Sequence, residues 1–169
     1  MTQSDWKIRR AVPQDARNIH EAHMRSIREV CGKDYTEIEI GGWGGREFRE
    51  NERIKTIEND CIWVLESSNA IGGYCHLRFY ENENQKMAEL HALYFTPEAL
   101  GKGLGKIMLD LIIAKAQEER VSKIELCSTL NAHEFYRRHG FSDTGPMIEY
   151  PINGVSVRCF PMEMSMKAD

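Results

Sequence analysis

The segment from Glu89 to Gly105 constrains the fold of this chain more than any other. It reads Glu89-Leu-His-Ala-Leu-Tyr-Phe-Thr-Pro-Glu-Ala-Leu-Gly-Lys-Gly-Leu-Gly105. This pattern predicts a strand that stops at Pro97, a glycine-rich turn and then a long amphipathic helix. The three alternating glycines leave free backbone N–H groups in a nest at the positive end of the helix dipole. Such a nest binds phosphate or diphosphate, so the sequence predicts a nucleotide-like cofactor.

Two common phosphate-binding motifs are excluded by the residues that follow these glycines. A Walker-type loop needs Gly-Lys-Ser/Thr so that the hydroxyl can hold magnesium, but Gly105-Lys106 is followed by Ile107. The dinucleotide fingerprint needs a third glycine where this chain has Lys106. The cofactor is therefore expected to belong to neither of these two classes.

Length and composition narrow the remaining classes. The chain has 169 residues, and we expect one domain over residues 1–169. Its 22 Lys and Arg against 26 Asp and Glu give a net charge of -4, so no nucleic-acid partner is expected. The N-terminus lacks an apolar signal region, and no apolar run approaches the about 18 residues of a membrane span, so we expect no membrane partner.

The five cysteines favour a cytoplasmic protein. They are scattered and form no Cys-x-x-Cys pair, so we expect reduced, mostly buried thiols and neither zinc nor any other metal. A homodimer is left open by the sequence.

The hydrophobic periodicity predicts an α/β fold with a mixed central sheet and helices on both faces. Helices are predicted from Pro13 to Gly32, from Thr36 with breaks at Gly41-Gly42 and around Gly44-Gly45, from Glu47 to Ile57, after the glycine loop, and from Ala132 to His139. The helix after the loop is expected to bury Leu104, Ile107, Met108, Leu111 and Ile112. Strands are predicted at Lys7–Arg9, Cys61–Leu65, Gly73–Phe79, Ala88–Phe95, Lys123–Cys127 and Val155–Met164. The second to fourth strands should form an antiparallel meander, and the crossover should make the fifth parallel to the fourth.

Three blocks of the sequence resemble the GNAT acetyltransferase superfamily. Leu100-Gly-Lys-Gly103-Leu-Gly105 is similar to its acyl-CoA loop, Gln/Arg-x-x-Gly-x-Gly/Ala. Ala132-His-Glu-Phe135-Tyr136-Arg-Arg-His-Gly140-Phe141 resembles its Ala-x-x-Phe-Tyr-x-x-x-Gly-Phe segment, and Leu93-Tyr-Phe95-Thr-Pro97 precedes both blocks. The resemblance implies an acetyl-CoA-dependent N-acetyltransferase. It also implies a sheet splayed between its fourth and fifth strands, with acetyl-CoA wedged in the opening.

The resemblance also implies which residues bind the cofactor. Backbone groups of Leu93 and Phe95, with Tyr94 between them, would pair with the pantetheine arm. The diphosphate would lie on the loop and its flanks, at Gly101, Lys102, Gly103, Leu104, Gly105 and Lys106. Asn131 is a further candidate, although the superfamily's common asparagine falls where this chain has Thr129. Leu100 replaces the usual Gln or Arg, so one side-chain contact to the diphosphate is lost while the backbone nest remains.

Glu89 and Tyr136 are the catalytic candidates. An amine with a pKa near ~10 is mostly protonated at neutral pH, so attack on a thioester needs a base. Glu89 occupies the carboxylate position that many superfamily members use, and His91, on the same strand face, is the rival base. Tyr136 can protonate the thiolate that leaves. Tyr35 and Trp43 are candidates for acceptor binding, because the resemblance places the acceptor pocket in the segment Cys31–Arg46. His91 is a further candidate. Trp43 lies between glycine pairs, which suggests either an exposed position on a mobile, substrate-facing loop or a packing role.

Alternative functions remain at this point. The acceptor is expected to be a primary amine, either in a small molecule or in a protein or peptide. A non-catalytic acyl-CoA sensor would keep the glycine loop without needing Glu89 and Tyr136, so their presence favours the enzyme. Transfer to a hydroxyl group, or transfer of a longer acyl chain, is not excluded by the sequence.

Overall fold

An eight-stranded mixed sheet forms the centre of the molecule, whose computed structural model describes residues 5–166. The strands are β1 (Lys7–Arg10), β2 (Cys61–Ser67), β3 (Ala70–Asn82), β4 (Gln85–Phe95), β5 (Lys123–Ser128), β6 (Ser142–Asp143), β7 (Ile148–Ile152) and β8 (Val155–Ser165). They lie in the order β1-β2-β3-β4-β5-β8-β6, with β7 paired to β8 outside this path. The strands β1 to β4 are antiparallel neighbours and β4 is parallel to β5, which confirms the predicted meander and crossover.

Five α-helices within residues 5–166 accompany the sheet. They are α1 (Ala16–Glu29), α2 (Glu37–Trp43), α3 (Glu50–Asn59), α4 (Leu104–Glu118) and α5 (His133–Arg138). The predicted capping box starts α2: the Glu39 N–H donates to the Thr36 hydroxyl, and the Thr36 N–H donates to the Glu39 carboxylate. None of the helices in the described part of the chain is both long and apolar enough to cross a membrane.

Both faces of the sheet are buried, as β2 shows. Trp63 and Leu65 lie in the core that contains the apolar side of α4, whereas Ile62 and Val64 lie in a second core with α1 and α3. Successive side chains of a strand point to opposite faces, so one strand contributes to both cores. The predicted placement of helices on both faces is confirmed.

The strands β4 and β5 pair over only two residues of each strand. Their register covers Ala88 with Ile124 and Glu89 with Glu125. Beyond these two pairs β4 continues to Phe95 and β5 to Ser128 without pairing to each other. The predicted splay between the fourth and fifth strands is therefore present.

The helix α2 passes through Gly41-Gly42, so the predicted break there is wrong. A Cβ atom built on Gly42 would lie only 2.5 Å from Cγ2 of Val155 on β8. Gly42 is thus needed for the close approach of α2 to β8, and the helix continues to Trp43 because it is packed there. The helix ends before Gly44, in line with the second predicted break.

The prediction for the buried face of α4 is correct except at one residue. Leu104, Met108 and Ile112 are buried, and Leu111 is partly buried against the same core. Ile107 is 43% exposed, so its predicted burial is wrong. Leu109, which was not expected in the core, is fully buried.

A β-hairpin of β7 and β8 was not predicted in full. Its turn is Asn153-Gly154, with φ of +47° and +80° at the two residues. These left-handed values are typical of a tight hairpin turn, and Asn-Gly is its usual sequence. Pro151 lies within β7, which pairs only with β8, and an edge strand tolerates proline.

All five cysteines are free, and their burial is mixed. Cys31, Cys75 and Cys159 are buried as expected, and Cys61 is partly buried. Cys127 is exposed, so the expectation of a buried thiol is wrong at this position.

An ion pair fixes α2 to β8. Arg158 donates from Nε and from Nη2 to the two carboxylate oxygens of Glu39, each at 2.9 Å. The Glu39 side chain is only 8% exposed. The bonds from Arg158 hold the pKa of Glu39 at about 2, although burial acts in the opposite direction. Ionised Glu39 therefore stabilises the contact between the two elements.

We predict that Glu39→Gln lowers the free energy of unfolding by about 1–3 kcal/mol at neutral pH, because Arg158 loses its charged partner. The folded-state pKa of Glu39 lies below its ordinary value of 4.5, so its contribution is present above pH 4.5 and is lost as the pH falls towards about 2. Urea unfolding at a series of pH values measures the difference between wild type and variant. The control is Glu52→Gln, which breaks an exposed pair with Arg49 and should change little. A difference that does not vary with pH would contradict this role of Glu39.

Candidate active site

The splay leaves one edge of β4 facing an opening. The N–H of Thr96 donates to the Gly72 carbonyl on β3 at 2.8 Å, and Tyr94 lies opposite Tyr74 on that strand. Because backbone groups alternate in direction along a strand, those of Leu93 and Phe95 point away from β3, towards the opening. The described part of β5 does not pair with this stretch.

The Ser26 side chain is hydrogen-bonded to one of the backbone groups on this edge. Its hydroxyl on α1 donates to the Phe95 carbonyl at 2.7 Å. The groups that remain for a ligand are the Phe95 N–H and both backbone groups of Leu93. Unpaired backbone in a cleft is costly, and an amide-bearing ligand can satisfy it.

A cavity of about 430 Å³ lies in the opening, and we call it the splay cavity. Its walls come from α1, the end of β4, the glycine loop and α5. Its lining includes Ser26, Leu93, Phe95, Gly103, Asn131 and Tyr136. The splay cavity thus joins the unpaired strand edge to the glycine loop.

The glycine loop forms one end of the splay cavity. Gly101 and Gly103 have φ of +70° and +73°, a left-handed conformation that favours glycine. Gly103 is the N-cap of α4, so the free N–H groups of the first turn lie directly after it. This geometry is the predicted nest. Lys102 Nζ donates to the Glu98 carbonyl at 2.6 Å, and Lys106 pairs with Asp110 at 2.6 Å.

Tyr136 on α5 faces the opposite wall. Its side chain is buried and lines the splay cavity, next to Phe135 with the two ring centroids 5.3 Å apart. Burial raises the pKa of Tyr136 well above its usual value, so the hydroxyl stays protonated at neutral pH. Tyr136 is therefore placed to donate a hydrogen bond into the cavity.

A second cavity of about 770 Å³ lies on the other side of β4, and we call it the polar cavity. It meets the splay cavity at Tyr94 and Thr129, which line both. Its polar wall includes Arg78, Tyr80, Glu89, His91, Glu125 and Cys127. A ligand in the splay cavity and another in the polar cavity would thus meet where β4 and β5 separate.

Glu89 lies at this junction, as the last residue of β4 that pairs with β5. Arg78 on β3 lies directly opposite and forms an ion pair with the Glu89 carboxylate. The Nδ1 atom of His91 lies 3.6 Å from Glu89 Oε1, slightly beyond hydrogen-bond distance. His91 and Arg78 together hold the pKa of Glu89 at about 2, with partial burial opposing them. Glu89 is therefore ionised at neutral pH and is itself a weak base.

Trp43 is buried, which excludes the exposed loop and confirms the alternative of a packing role. Only 3% of its surface is accessible, and its ring packs 5.1 Å from that of Tyr35, between centroids. The Tyr35 hydroxyl donates to the Arg158 carbonyl and accepts from the Leu130 N–H. Both side chains line the polar cavity, but packing and hydrogen bonds hold them in place.

The sequence matches the family described as Acetyltransferase (GNAT) family over residues 24–141. This match spans most of the chain and includes both the glycine loop and α5. The chain belongs to the GNAT acetyltransferase family.

Solved structures of this family share the fold. The GCN5-related N-acetyltransferase from Rhodopseudomonas palustris superposes with a TM-score of 0.82 at 19% identity, over 98% of this chain and 99% of the other. PaiA N-acetyltransferase from Thermoplasma acidophilum, in complex with coenzyme A, gives 0.75 at 19% identity over 95% and 99%. YncA from Salmonella typhimurium, with its cofactor acetyl-CoA, gives 0.71 at 18% identity over 97% and 95%. The mixed sheet is therefore the GNAT fold.

Two positions depart from the usual GNAT pattern. Leu100, in the Gln/Arg position, is 42% exposed at the rim of the splay cavity. Asn131 and Cys31 both line this cavity. Thr129, which stands where the family asparagine is expected, lies at the junction of the two cavities.

Several residues of the site carried no motif in the sequence. Ser26 lies on a helix face that periodicity assigned only to packing, and Arg78 and Glu125 belong to strands whose pairing decides what they face. The register of the sheet is the signal that would have found Arg78, because it lies opposite Glu89. No group of three or more metal-ligating side chains lies close enough together within residues 5–166 to hold a metal ion.

We predict that Gly103→Val abolishes binding of acetyl-CoA, because a β-branched residue disfavours the left-handed conformation and its side chain would crowd the nest. In wild type, ligand at 100 times its Kd should add about 2.7 kcal/mol of stability, which thermal unfolding reports as a rise in Tm. Gly145→Val is the control: this glycine has an open environment and no left-handed φ, so the rise should persist. A rise retained in Gly103→Val would contradict the role of the nest.

Proposed function

We propose that the chain is an acetyl-CoA-dependent N-acetyltransferase formed by residues 1–169 as one domain. The observation that carries the proposal is the meeting of two cavities at the splay: one has a nest and an unpaired strand edge, and the other has a polar wall. The acceptor is a primary amine in a small molecule or a peptide. The free cysteines support a reducing compartment, so we propose a cytoplasmic protein.

The splay cavity suits the two parts of CoA. The pantetheine arm has two amides that can pair with the Leu93 and Phe95 backbone, and the diphosphate can accept N–H groups from Gly103, Leu104 and Gly105. Gly101 keeps the turn open. Lys102 and Lys106 flank the nest, and rotation of their side chains can bring the ammonium groups to the phosphates. The bound CoA of PaiA and acetyl-CoA of YncA support this choice of co-substrate.

Transfer needs one proton to leave the amine and one to reach the thiolate. The neutral amine attacks the thioester carbonyl carbon, the C–S bond breaks, and an amide and free CoA result. The Leu93 N–H is the proposed donor to the oxyanion, as a fixed dipole at the developing charge. The expelled sulfur, whose parent thiol has a pKa near ~8.5, needs a hydrogen-bond donor.

Glu89 is proposed to act on the amine through electrostatics and through water. Its ionised carboxylate attracts the ammonium form, but a pKa of about 2 makes it an inefficient direct acceptor of the proton. The proton then passes to water or to the neighbouring His91. Whether water or His91 takes the proton, Glu89 is the group that meets the amine as it enters from the polar cavity.

Tyr136 is proposed to stabilise the departing thiolate. Its raised pKa means that it donates a hydrogen bond more readily than it gives up the proton. Tyr136 lines the splay cavity, where its hydroxyl can reach the sulfur. Tyr35 and Trp43 would shape the acceptor side as fixed walls.

We predict that Glu89→Gln reduces kcat/KM for the amine by about 10²-fold or more at neutral pH, and that high pH restores part of the loss because free amine then becomes abundant. Since the pKa of Glu89 is about 2, its carboxylate does not titrate between about pH 5 and 8. Glu89→Gln should therefore lower kcat/KM throughout this range without removing a rising or falling limb from the pH–rate profile. His91→Gln should remove a limb if His91 takes the proton. Steady-state CoA release measures both, with the exposed Glu58→Gln as control. Full activity of both Glu89→Gln and His91→Gln would contradict the proposed base.

We predict that Tyr136→Phe lowers kcat by about 10²-fold, and that high pH does not restore it because the loss concerns the leaving group. The Tm shift with acetyl-CoA should persist, since the nest and strand edge are unchanged. CoA release measured against pH separates this variant from Glu89→Gln. Unchanged kcat in Tyr136→Phe would contradict the acid role.

If no amine releases CoA from wild type although acetyl-CoA binds, the chain is an acyl-CoA sensor.

A further inference from the structure

Arg46 lies three residues after the end of α2 and lines the polar cavity. It belongs to none of the sequence motifs. Its Nε donates to the Trp43 carbonyl at 3.0 Å, and Nη2 lies 3.4 Å from His23 Nε2. These contacts fix the guanidinium while using only two of its five N–H donors. The others are free to meet a ligand.

The guanidinium of Arg46 is partly buried and has no acidic partner. Burial lowers the pKa of Arg46, and within residues 5–166 no carboxylate lies within 4.0 Å of its nitrogens. By contrast, Arg78 and Arg158 in the same cavity are each paired with a glutamate. An unpaired charge removed from water is costly, so a site of this kind favours an anionic ligand.

His23 does not supply that anion, and it is neutral. Its Nδ1 lies 2.8 Å from the Tyr74 hydroxyl, and burial, followed by the positive field of Arg46, lowers its pKa well below the usual value. With Nε2 turned towards Arg46, the ring accepts a hydrogen bond there. His23 thus orients Arg46 without compensating its charge.

A third cavity of about 690 Å³ joins the polar cavity at Arg46 and His91, and we call it the cationic pocket. Arg53 of α3 lines this pocket and stands 5.7 Å from the centroid of the Tyr74 ring. Two acidic residues also line it: Glu52 is paired with Arg49, and Glu47 forms no ion pair with Arg46 or Arg53. The lining of the pocket therefore has three arginines (Arg46, Arg49 and Arg53) against two glutamates, which leaves an excess of one positive charge.

We propose that the acceptor is a free amino acid, whose amine lies at Glu89 and whose carboxylate lies between Arg46 and Arg53. This inference rests on the proposed N-acetyltransferase function and adds its substrate class. The continuous cavity has carboxylates at the splay, where Glu89 is paired with Arg78 and Glu125 with Lys123. Beyond His91 it has two arginines, Arg46 and Arg53, without acidic partners in the described part of the chain. A molecule with an amine and a carboxylate matches both ends in one orientation, with the amine towards the thioester.

The same arrangement disfavours polycationic acceptors. A polyamine or an aminoglycoside would place a second ammonium group near Arg46 and Arg53, where like charges repel in a partly desolvated site. Arginine can also hold a carboxylate through two parallel N–H bonds, which gives orientation as well as affinity. The fixed guanidinium of Arg46 is suited to that geometry.

The test compares matched acceptors that differ only in the carboxylate. Phenylalanine is assayed beside phenethylamine and phenylalanine amide, and β-alanine beside propylamine, by CoA release with saturating acetyl-CoA. We expect at least one amino acid to exceed its matched amine at least 10-fold in kcat/KM. Arg46→Met should remove that preference by raising KM for the amino acid, while KM for acetyl-CoA and turnover of the simple amine stay near wild type. Lys55→Met, which removes an exposed charge from α3 outside these cavities, should leave the preference intact.

Three outcomes overturn the inference. Wild type that acetylates amines and their amino acids equally well, or that prefers polyamines, excludes a carboxylate site. A preference for amino acids that survives in Arg46→Met excludes Arg46 as its source. If Arg46→Met instead loses all activity, Arg46→Lys, which keeps the charge, distinguishes loss of the carboxylate contact from loss of folding. A preference for peptides with an acidic side chain over free amino acids assigns the carboxylate to a peptide. In contrast, binding of acetyl-CoA without turnover of any amine means that the proposed enzyme function itself has failed.

Discussion

The end of pairing between β4 and β5 after Glu89 and Glu125 is the constraint on which the rest of the structure depends. Parallel strands that separate leave backbone donors and acceptors without partners, and a protein interior does not tolerate such groups without compensation. Here the edge at Leu93 and Phe95 opens onto the splay cavity, where an amide-bearing cofactor arm can supply the missing partners. The same separation lets a cavity on each side of β4 meet at one point. Binding and chemistry thus have a common structural origin.

Charge is distributed in the site so that different residues have different tasks. Arg78 and His91 keep Glu89 ionised, so this carboxylate attracts an ammonium group better than it accepts a proton. Burial keeps Tyr136 protonated, which suits a donor to a thiolate. Arg46 remains without an acidic partner and is held in place by backbone and by a neutral histidine. Arg158, by contrast, is compensated by Glu39 and stabilises the packing between α2 and β8.

The sequence was sufficient for the features that local patterns encode. The glycine loop, the capping box at Thr36 and the alternation in β2 each follow from short-range chemistry, and the splay followed from the resemblance to GNAT proteins. It was insufficient where tertiary contacts decide. Gly42 permits close packing against Val155 instead of ending a helix, and Trp43 is buried because that packing brings α2 onto β8. Arg46 carries no motif at all: only the fold shows that it faces two cavities without an acidic partner.

Residue-resolved hydrogen exchange with and without acetyl-CoA tests the central claim most directly. The splay account predicts that the cofactor slows exchange of the Leu93 and Phe95 amides, because their N–H groups face the opening, together with amides of the loop at Gly103 to Gly105. The Tyr94 amide is an internal control, since it faces β3 and is paired there already. Its exchange should change much less. Binding of acetyl-CoA, verified by calorimetry, with no added protection at Leu93 and Phe95 would contradict the claim that the unpaired strand edge is the cofactor site.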